Sequence, residues 1–331
     1  MKSHYSSVLM NHIELALEHK EQIILFQNRR GFSSRIECED CHYTIPCKSC
    51  DVTLTYHKKA NILKCHYCGY SIEIPKQCPV CGSIKLNTKG FGTEKIESDL
   101  EIYFPDARIA RMDYDTTRSK NSYQQIITEF ENHEIDILIG TQMVTKGLDF
   151  DSVSVVGIIN ADNMLSFPDF RAFERSYQLM AQVSGRAGRK DILGKVIIQS
   201  YNPNHPVFDF IKHNQYQKMY EIQLDERKKF SYPPFIRMIK ISVKDVDFQK
   251  VNKASDVLAK MIEKSTHLKV IGPEFPLIGR INNWYLKDII IKIPKNYSLS
   301  LLKSAINSTI EQFETILDYK SCRISKDVDP Y

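Results

Sequence analysis

Cys38-Glu-Asp-Cys41, Cys47-Lys-Ser-Cys50, Cys65-His-Tyr-Cys68 and Cys78-Pro-Val-Cys81 gather eight of the nine cysteines into 44 residues. A Cys-x-x-Cys turn puts both sulfurs on one side of a tight knuckle, and two knuckles close a tetrahedron around a metal ion. Four such pairs are the ligands of two four-cysteine zinc sites. Few apolar anchors lie between them, so bound metal must supply much of the segment's folding energy. Other readings of the thiols are weaker. Disulfides need an oxidising compartment, and the N-terminus carries no signal-peptide pattern. A redox motif would be one pair, not four in series. An iron–sulfur cluster uses the same ligand type, but repeated x₂ pairing suits zinc better. His66 lies inside a pair and is surplus to two filled tetrahedra. Cys322 stands alone and is expected to be a buried structural thiol.

The chain of 331 residues is long enough for two or three domains. No run of 18 apolar residues occurs, so no membrane span is expected. The formal charge of +5 is a mild basic excess. Eight thiolates and two Zn²⁺ would lower it to about +1, so any nucleic-acid contact must come from local patches.

Outside the cysteines, periodicity organises the chain. Residues 6–19 read as a helix and 22–27 as a buried strand. After the cysteine module, strands at 108–112, 136–140, 153–159 and 195–199 alternate with helices at 93–104, 122–132 and 171–185. Such alternation implies a parallel sheet covered on both faces, with the cysteine module inserted after its first strand. Tyr232-Pro-Pro-Phe235 forbids helix and reads as a boundary. Beyond it come a strand at 236–243, a helix at 248–263 and a short strand at 269–271. A hairpin at 277–281 and 285–293 turns across Asn282-Asn283-Trp284, and a helix at 298–317 and a strand at 321–325 follow, an α+β pattern of the split βαβ kind. The expected domains are 1–35, which open the parallel sheet; 36–88, the double zinc module; 89–230, the rest of the parallel-sheet lobe; and 231–331, the α+β domain.

Gln182-Val-Ser-Gly-Arg-Ala-Gly-Arg189 closes a predicted helix. Arginine offers a planar, permanently charged fork for phosphate oxygens. By itself the stretch also reads as a helix C-cap with flanking cations. Its partners sit at the ends of strands, where ligands bind in open α/β sheets: Ile139-Gly-Thr-Gln-Met-Val-Thr-Lys-Gly147 and Asp113-Tyr-Asp-Thr-Thr117. Gly90-Phe-Gly-Thr-Glu94 precedes a helix N-terminus, where phosphate can dock on free amides.

These stretches, in this order around a double cysteine module, resemble the PriA family of bacterial replication-restart helicases, members of superfamily 2. Phe26-Gln-Asn-Arg-Arg-Gly-Phe32, Cys65-His-Tyr-Cys-Gly69, Phe91-Gly-Thr-Glu-Lys-Ile-Glu97, Met112-Asp-Tyr-Asp-Thr-Thr117, Leu179–Arg189, Tyr232-Pro-Pro-Phe235 and Asp327-Val-Asp-Pro330 carry the resemblance over nearly the whole chain. It implies that 89–230 form a RecA-like second helicase lobe and 1–35 the end of a first lobe and the start of this one, and that Arg186 and Arg189 sense the ATP γ-phosphate, with Gln182, Gly185 and Gly147 beside the nucleotide. It implies DNA-backbone contacts by Thr141, Gln142 and Lys146. It implies one zinc on Cys38, Cys41, Cys78 and Cys81 and another on Cys47, Cys50, Cys65 and Cys68, a pairing that spacing alone leaves open. It gives the last hundred residues a ribosomal-protein-like domain that engages branched DNA and single-strand-binding protein. Forked and single-stranded DNA, primosome and replicative-helicase loading proteins, and a cytoplasmic, nucleoid-associated location follow from it.

Basic residues worth testing against DNA are Arg29, Arg30, Lys58, Lys59, Lys146 and Arg171, with Phe32, Tyr56 and Tyr67 as stacking candidates. The sequence contains neither Gly-x₄-Gly-Lys-Ser/Thr nor Asp-Glu-x-His, which the family carries in its first lobe. The expectation is therefore the C-terminal half of such a helicase, needing ATP and Mg²⁺ only with the other half and inactive as an ATPase alone. The competing reading is a zinc-ribbon module that binds DNA or protein without motor function.

Overall fold

The computed structural model describes residues 4–28, 34–57, 60–90, 92–113, 116–117, 119–145, 152–188 and 194–330. It divides into two compact units, one of residues 1–34 and 89–222, the other of 35–88 and 223–331.

The first unit opens with α1 (Ser7–Glu18), capped by the Ser6 side chain, and β1 (Gln22–Phe26). The chain leaves it for β2 (Arg35–Cys38), β3 (Thr55–His57), β4 (Ile62–Lys64), β5 (Ser71–Glu73) and β6 (Leu86–Lys89). It returns through α2 (Thr93–Tyr103), β7 (Ile109–Met112), α3 (Lys120–Glu131) and β8 (Ile137–Gly140). A 3₁₀ turn, Gln142–Thr145, follows, then β9 (Val153–Ile158), α4 (Asp162–Leu165), α5 (Ala172–Ser184), β10 (Lys195–Ile198), α6 (Pro206–Lys212) and α7 (Tyr216–Lys229), a helix whose residues from Gln223 on belong to the second unit. The sheet runs β10-β9-β1-β8-β7, all parallel.

β1 is central, and all five of its residues are buried. Its side chains alternate between two cores, as strand geometry requires. Ile24 and Phe26 join Leu138 and Val156 under α3 and α5, through Phe130, Tyr177, Met180 and Val183. Ile23 and Leu25 join Ile137, Ile139 and Val155 under α1 and α2, through Leu9, Ile13, Ile96 and Leu100. Each fully buried aliphatic side chain contributes about 1.5–3 kcal/mol, so the two cores hold the sheet from both sides. The parallel, doubly covered sheet is the one expected from the alternation.

In the second unit, β11 (Ile236–Asp245), α8 (Phe248–Thr266), β12 (Val270–Glu274), β13 (Arg280–Ile281), β14 (Trp284–Pro294), α9 (Leu299–Glu314) and β15 (Arg323–Val328) follow in order. The antiparallel sheet is ordered β12-β14-β11-β15, with β13 on β14, which is the split βαβ arrangement. Asp247 caps α8 by accepting from the Gln249 and Lys250 amides. Ile241, Val243, Leu258, Ile262, Ile289, Ile291 and Phe313 form the core beneath both helices. Cys322 is buried in it, and its thiol donates to Asp245 at 3.5 Å. Burial pushes that thiol up to about 12, as suits an inert structural cysteine.

Three local readings change. The hairpin turn is two residues, not three. Asn282 and Asn283 both take positive φ, 51° and 65°, while Trp284 pairs with Ile281. Asparagine tolerates that conformation and tryptophan does not. The strand expected from 277 is only Arg280–Ile281. Helices α6 and α7 fall in a stretch given no element by pattern. α6 starts at Pro206 under a His205 cap. In α7 the side chains of Met219 and Gln223 are buried amid polar neighbours, so no apolar stripe marks it.

Candidate functional site

The four Cys-x-x-Cys pairs fold into four similar knuckles. In each, the first cysteine's amide donates to the carbonyl five residues on: Cys38 to Tyr43 (3.0 Å), Cys47 to Val52 (2.8 Å), Cys65 to Tyr70 (2.8 Å) and Cys78 to Ser83 (2.7 Å). This loop turns both thiols to one side. The knuckles meet two by two. Cys38, Cys41, Cys78 and Cys81 form one cluster, and Cys47, Cys50, Cys65 and Cys68 the other, each with sulfurs within 4.8 Å of one another. Cys38 and Cys81 sulfurs are 3.5 Å apart, Cys41 and Cys78 3.6 Å, and Cys47 and Cys68 3.5 Å. A disulfide needs about 2.05 Å. Four thiolates at about 2.3 Å from one Zn²⁺ lie about 3.8 Å apart, so the donor set fits two structural zinc ions. The chain thus carries two zinc sites, paired outer with outer and inner with inner.

Amides also point at the sulfurs, as a thiolate requires. Ser49 N–H meets Cys47 Sγ at 3.4 Å and Tyr67 N–H meets Cys65 Sγ at 3.4 Å. The inner site is the more enclosed. Cys47, Cys50 and Cys65 are buried there, whereas Cys41 and Cys81 of the outer site are exposed. Leu54 and Leu63 pack behind the inner cluster. His66 is outside both clusters and lies beside His57, ring centroids 5.1 Å apart.

In the first unit, motifs distant in sequence converge at the carboxyl ends of the parallel strands. Gly140 ends β8 where a Cβ would sit 2.1 Å from Val144 Cγ1, so only glycine lets the 3₁₀ turn pack down. Thr141 is buried and Gln142 exposed at the start of that turn. A cavity of about 420 Å³ opens there, lined by Asn28, Gln142, Asn163, Asp169, Arg175 and Gln182 among others. Gln142 and Gln182, 40 positions apart, thus share one hollow. α5 buries Ala172, Ser176, Tyr177, Met180 and Val183 along one side. That leaves Gln182 and Gly185 exposed and Arg186 half-buried at its C-terminal end. Gly188 donates its amide to Val153 O, fixing the segment to the sheet.

Arg29, Arg30, Phe32, Lys58, Lys59, Lys146, Gly147 and Arg189 lie outside the described residues. Arg171 precedes α5, with its guanidinium 5.4 Å from the Phe170 ring centroid. The Tyr56 hydroxyl donates to Asn61, and Tyr67 is exposed.

One feature escaped the sequence reading. Arg111 in β7 is buried, with Glu94 at 3.1 Å, Asp113 at 3.3 Å and Glu97 at 3.5 Å. Thr93 Oγ1 donates to Asp113 Oδ2 at 2.6 Å. The guanidinium therefore ties the first turn of α2 to the loop after β7. Nothing in Arg108-Ile-Ala-Arg-Met112 distinguishes this arginine from an edge cation; only the fold brings three carboxylates to it.

Family models match three stretches: the PriA DNA helicase Cys-rich region domain at residues 47–72, the helicase conserved C-terminal domain at 83–191, and the primosomal protein N C-terminal domain at 228–331. Replication restart protein PriA of Bacillus subtilis is 37% identical over 100% of this chain and 41% of its own length. The PriA of Borreliella burgdorferi is 39% identical over 93% and 46%, and that of Rickettsia conorii 33% over 99% and 50%. The chain spans half or less of the length of these relatives. Three domain matches, the first of them over the inner cysteine cluster, and relatives 33–39% identical over nearly all of the sequence place the chain in the PriA helicase family.

Proposed function

We propose that this chain supplies the second motor lobe, the double zinc module and the C-terminal domain of an ATP-dependent 3′→5′ DNA helicase that restarts stalled replication forks. The observation that carries this reading is the edge where Arg186 follows the Gly185 cap of α5 and Gln182 shares a hollow with Gln142 and Asn28. A nucleotide gripped by the phosphate loop of a first lobe would present its γ-phosphoryl group to that edge. As charge spreads over the equatorial oxygens in the transition state, Arg186 and Arg189 place fixed positive charge against it. Gln182, Gly185 and Gly147 would border the nucleotide. Thr141, Gln142, Lys146, Arg29 and Arg30 would hold the DNA backbone, and shared loops make each site sense the other. Forked and single-stranded DNA are the substrates, and single-strand-binding protein, the family's N-terminal half and helicase-loading proteins the partners, in the cytoplasm beside the nucleoid.

The test is reconstitution. The chain alone is expected to hydrolyse no ATP in the presence of DNA. Mixed with a separately produced N-terminal half of a PriA relative, it is expected to restore DNA-stimulated hydrolysis and fork unwinding. Arg186→Ala in that mixture should lower kcat about 10³-fold, with zinc content unchanged. Hydrolysis by the chain alone, or an Arg186→Ala mixture within a few-fold of the parent, sinks the reading.

A further inference from the structure

Three of the four zinc knuckles are built from their own residues alike. Four positions after the first cysteine, His42, Gly69 and Gly82 take positive φ (57°, 78° and 74°). Each donates its amide back to that cysteine's carbonyl: His42 to Cys38, Gly69 to Cys65 and Gly82 to Cys78, at 2.9–3.1 Å.

The Cys47 knuckle departs at both points. Its fourth residue, Asp51, does not take positive φ, and its amide leaves the knuckle for Arg280 O at 2.9 Å. Its second sulfur, Cys50, receives the amide of Asn282 at 3.1 Å. Both partners come from one turn, that between β13 and β14, more than two hundred residues away in sequence. The same turn adds Asn283 N–H to Ser49 O at 2.7 Å and Arg280 Nε to Asp51 Oδ1 at 3.0 Å. Ile281 packs against the apolar cluster around Cys47, Cys50 and Cys65.

We infer that the Arg280–Asn283 turn is a positioning element of the inner zinc site, so that metal binding at that site and docking of the C-terminal sheet's hairpin stabilise each other. The inference rests on the two-zinc reading above. A thiolate accepts a stronger hydrogen bond than a thiol, so the Asn282 amide favours the metal-bound form of Cys50. By linkage, whatever the turn adds to zinc affinity, zinc adds to docking of the turn. The outer site, made of two self-contained knuckles, has no such dependence. The chain's single tryptophan, Trp284, begins β14 directly after the turn, with the Arg323 guanidinium 4.3 Å from its ring centroid. It is a built-in reporter of docking.

The experiment uses the whole chain, loaded with zinc or with cadmium, and two variants that leave every cysteine in place, Asp51→Ala and Arg280→Ala. Cadmium NMR reads one line per four-thiolate site. One line is expected to move in both variants and the other to stay. One zinc should become about tenfold easier for a competing chelator to withdraw. Asn282→Gly keeps the amide and the positive φ, so it should match the parent, which guards against a general loss of folding. Trp284 emission of the parent should shift when the zinc of the inner site is withdrawn and stay unchanged when only the outer zinc is lost. Unmoved lines and unchanged zinc retention in both variants overturn the inference. A folded chain that holds neither zinc nor cadmium overturns the two-zinc reading instead, so the two failures are distinguishable.

Discussion

A single guanidinium holds the first turn of α2 against the loop after β7. Arg111 is buried among Glu94, Glu97 and Asp113. Removing one partner of a buried ion pair strands the others, which costs about 3–5 kcal/mol. Arg111→Met is expected to lose that much in urea unfolding, and a loss below 1 kcal/mol would show that the cluster is not a tie. Asp136 shows the opposite case, a partner at the rim. Burial raises its carboxyl pKa, but the Arg108 side chain and amide outweigh this and hold it below the usual carboxylate range. A folded pKa below the unfolded one stabilises above about pH 4 and is lost as the pH falls through the folded value. Asp136→Asn should therefore unfold more readily than the parent at pH 7, and the gap should close in acid titrations followed by circular dichroism. Single residues differed in how far sequence revealed them. The cysteines announced themselves by spacing, because metal geometry fixes spacing. Arg111 did not, because its partners come from a helix turn and a loop that only the fold brings to it.

Among elements, the small three-stranded sheet β3-β4-β5 has little besides metal to hold it. Leu63 is its fully buried residue, and each strand has three residues. Cys65→Ser is expected to cost one zinc per chain and to expose the β4 amides to hydrogen exchange, while β1 amides keep their protection. Equal protection of β4 in parent and variant contradicts this. Gly140→Ala tests another element, the 3₁₀ turn after β8. Overpacking against Val144 should cost about 1–3 kcal/mol in thermal or urea unfolding. Strands and amphipathic helices were legible because period and burial coincide, as in β1 or α5. The turn at Asn282-Asn283 was placed one residue too long, since a flanking tryptophan looks like loop until its pairing is seen. α7 was silent because its contacts are made by a methionine and a glutamine rather than by an apolar stripe.

For the whole molecule, withdrawal of both metals is expected to unravel the cysteine module and to leave the parallel sheet folded, because the sheet's two cores contain none of the eight ligands. Circular dichroism of the chelated chain should retain most of its helical signal; collapse of that signal contradicts the separation. The doubly covered sheet and the split βαβ sheet were readable from alternation. That the cysteine module groups with residues 223–331 in one compact unit was not, because backbone hydrogen bonds that every sequence can make join them, and the Arg280–Asp51 pair spans 229 positions that no local pattern connects. The parallel sheet also has a temporal consequence. β1 is its middle strand, yet its neighbours β8 and β9 are synthesised more than a hundred residues later. On the ribosome this wholly buried strand must wait, unpaired, while the entire metal-binding insertion is made. Chaperone capture of nascent chains should therefore peak in that interval and subside once Val153–Ile158 has emerged.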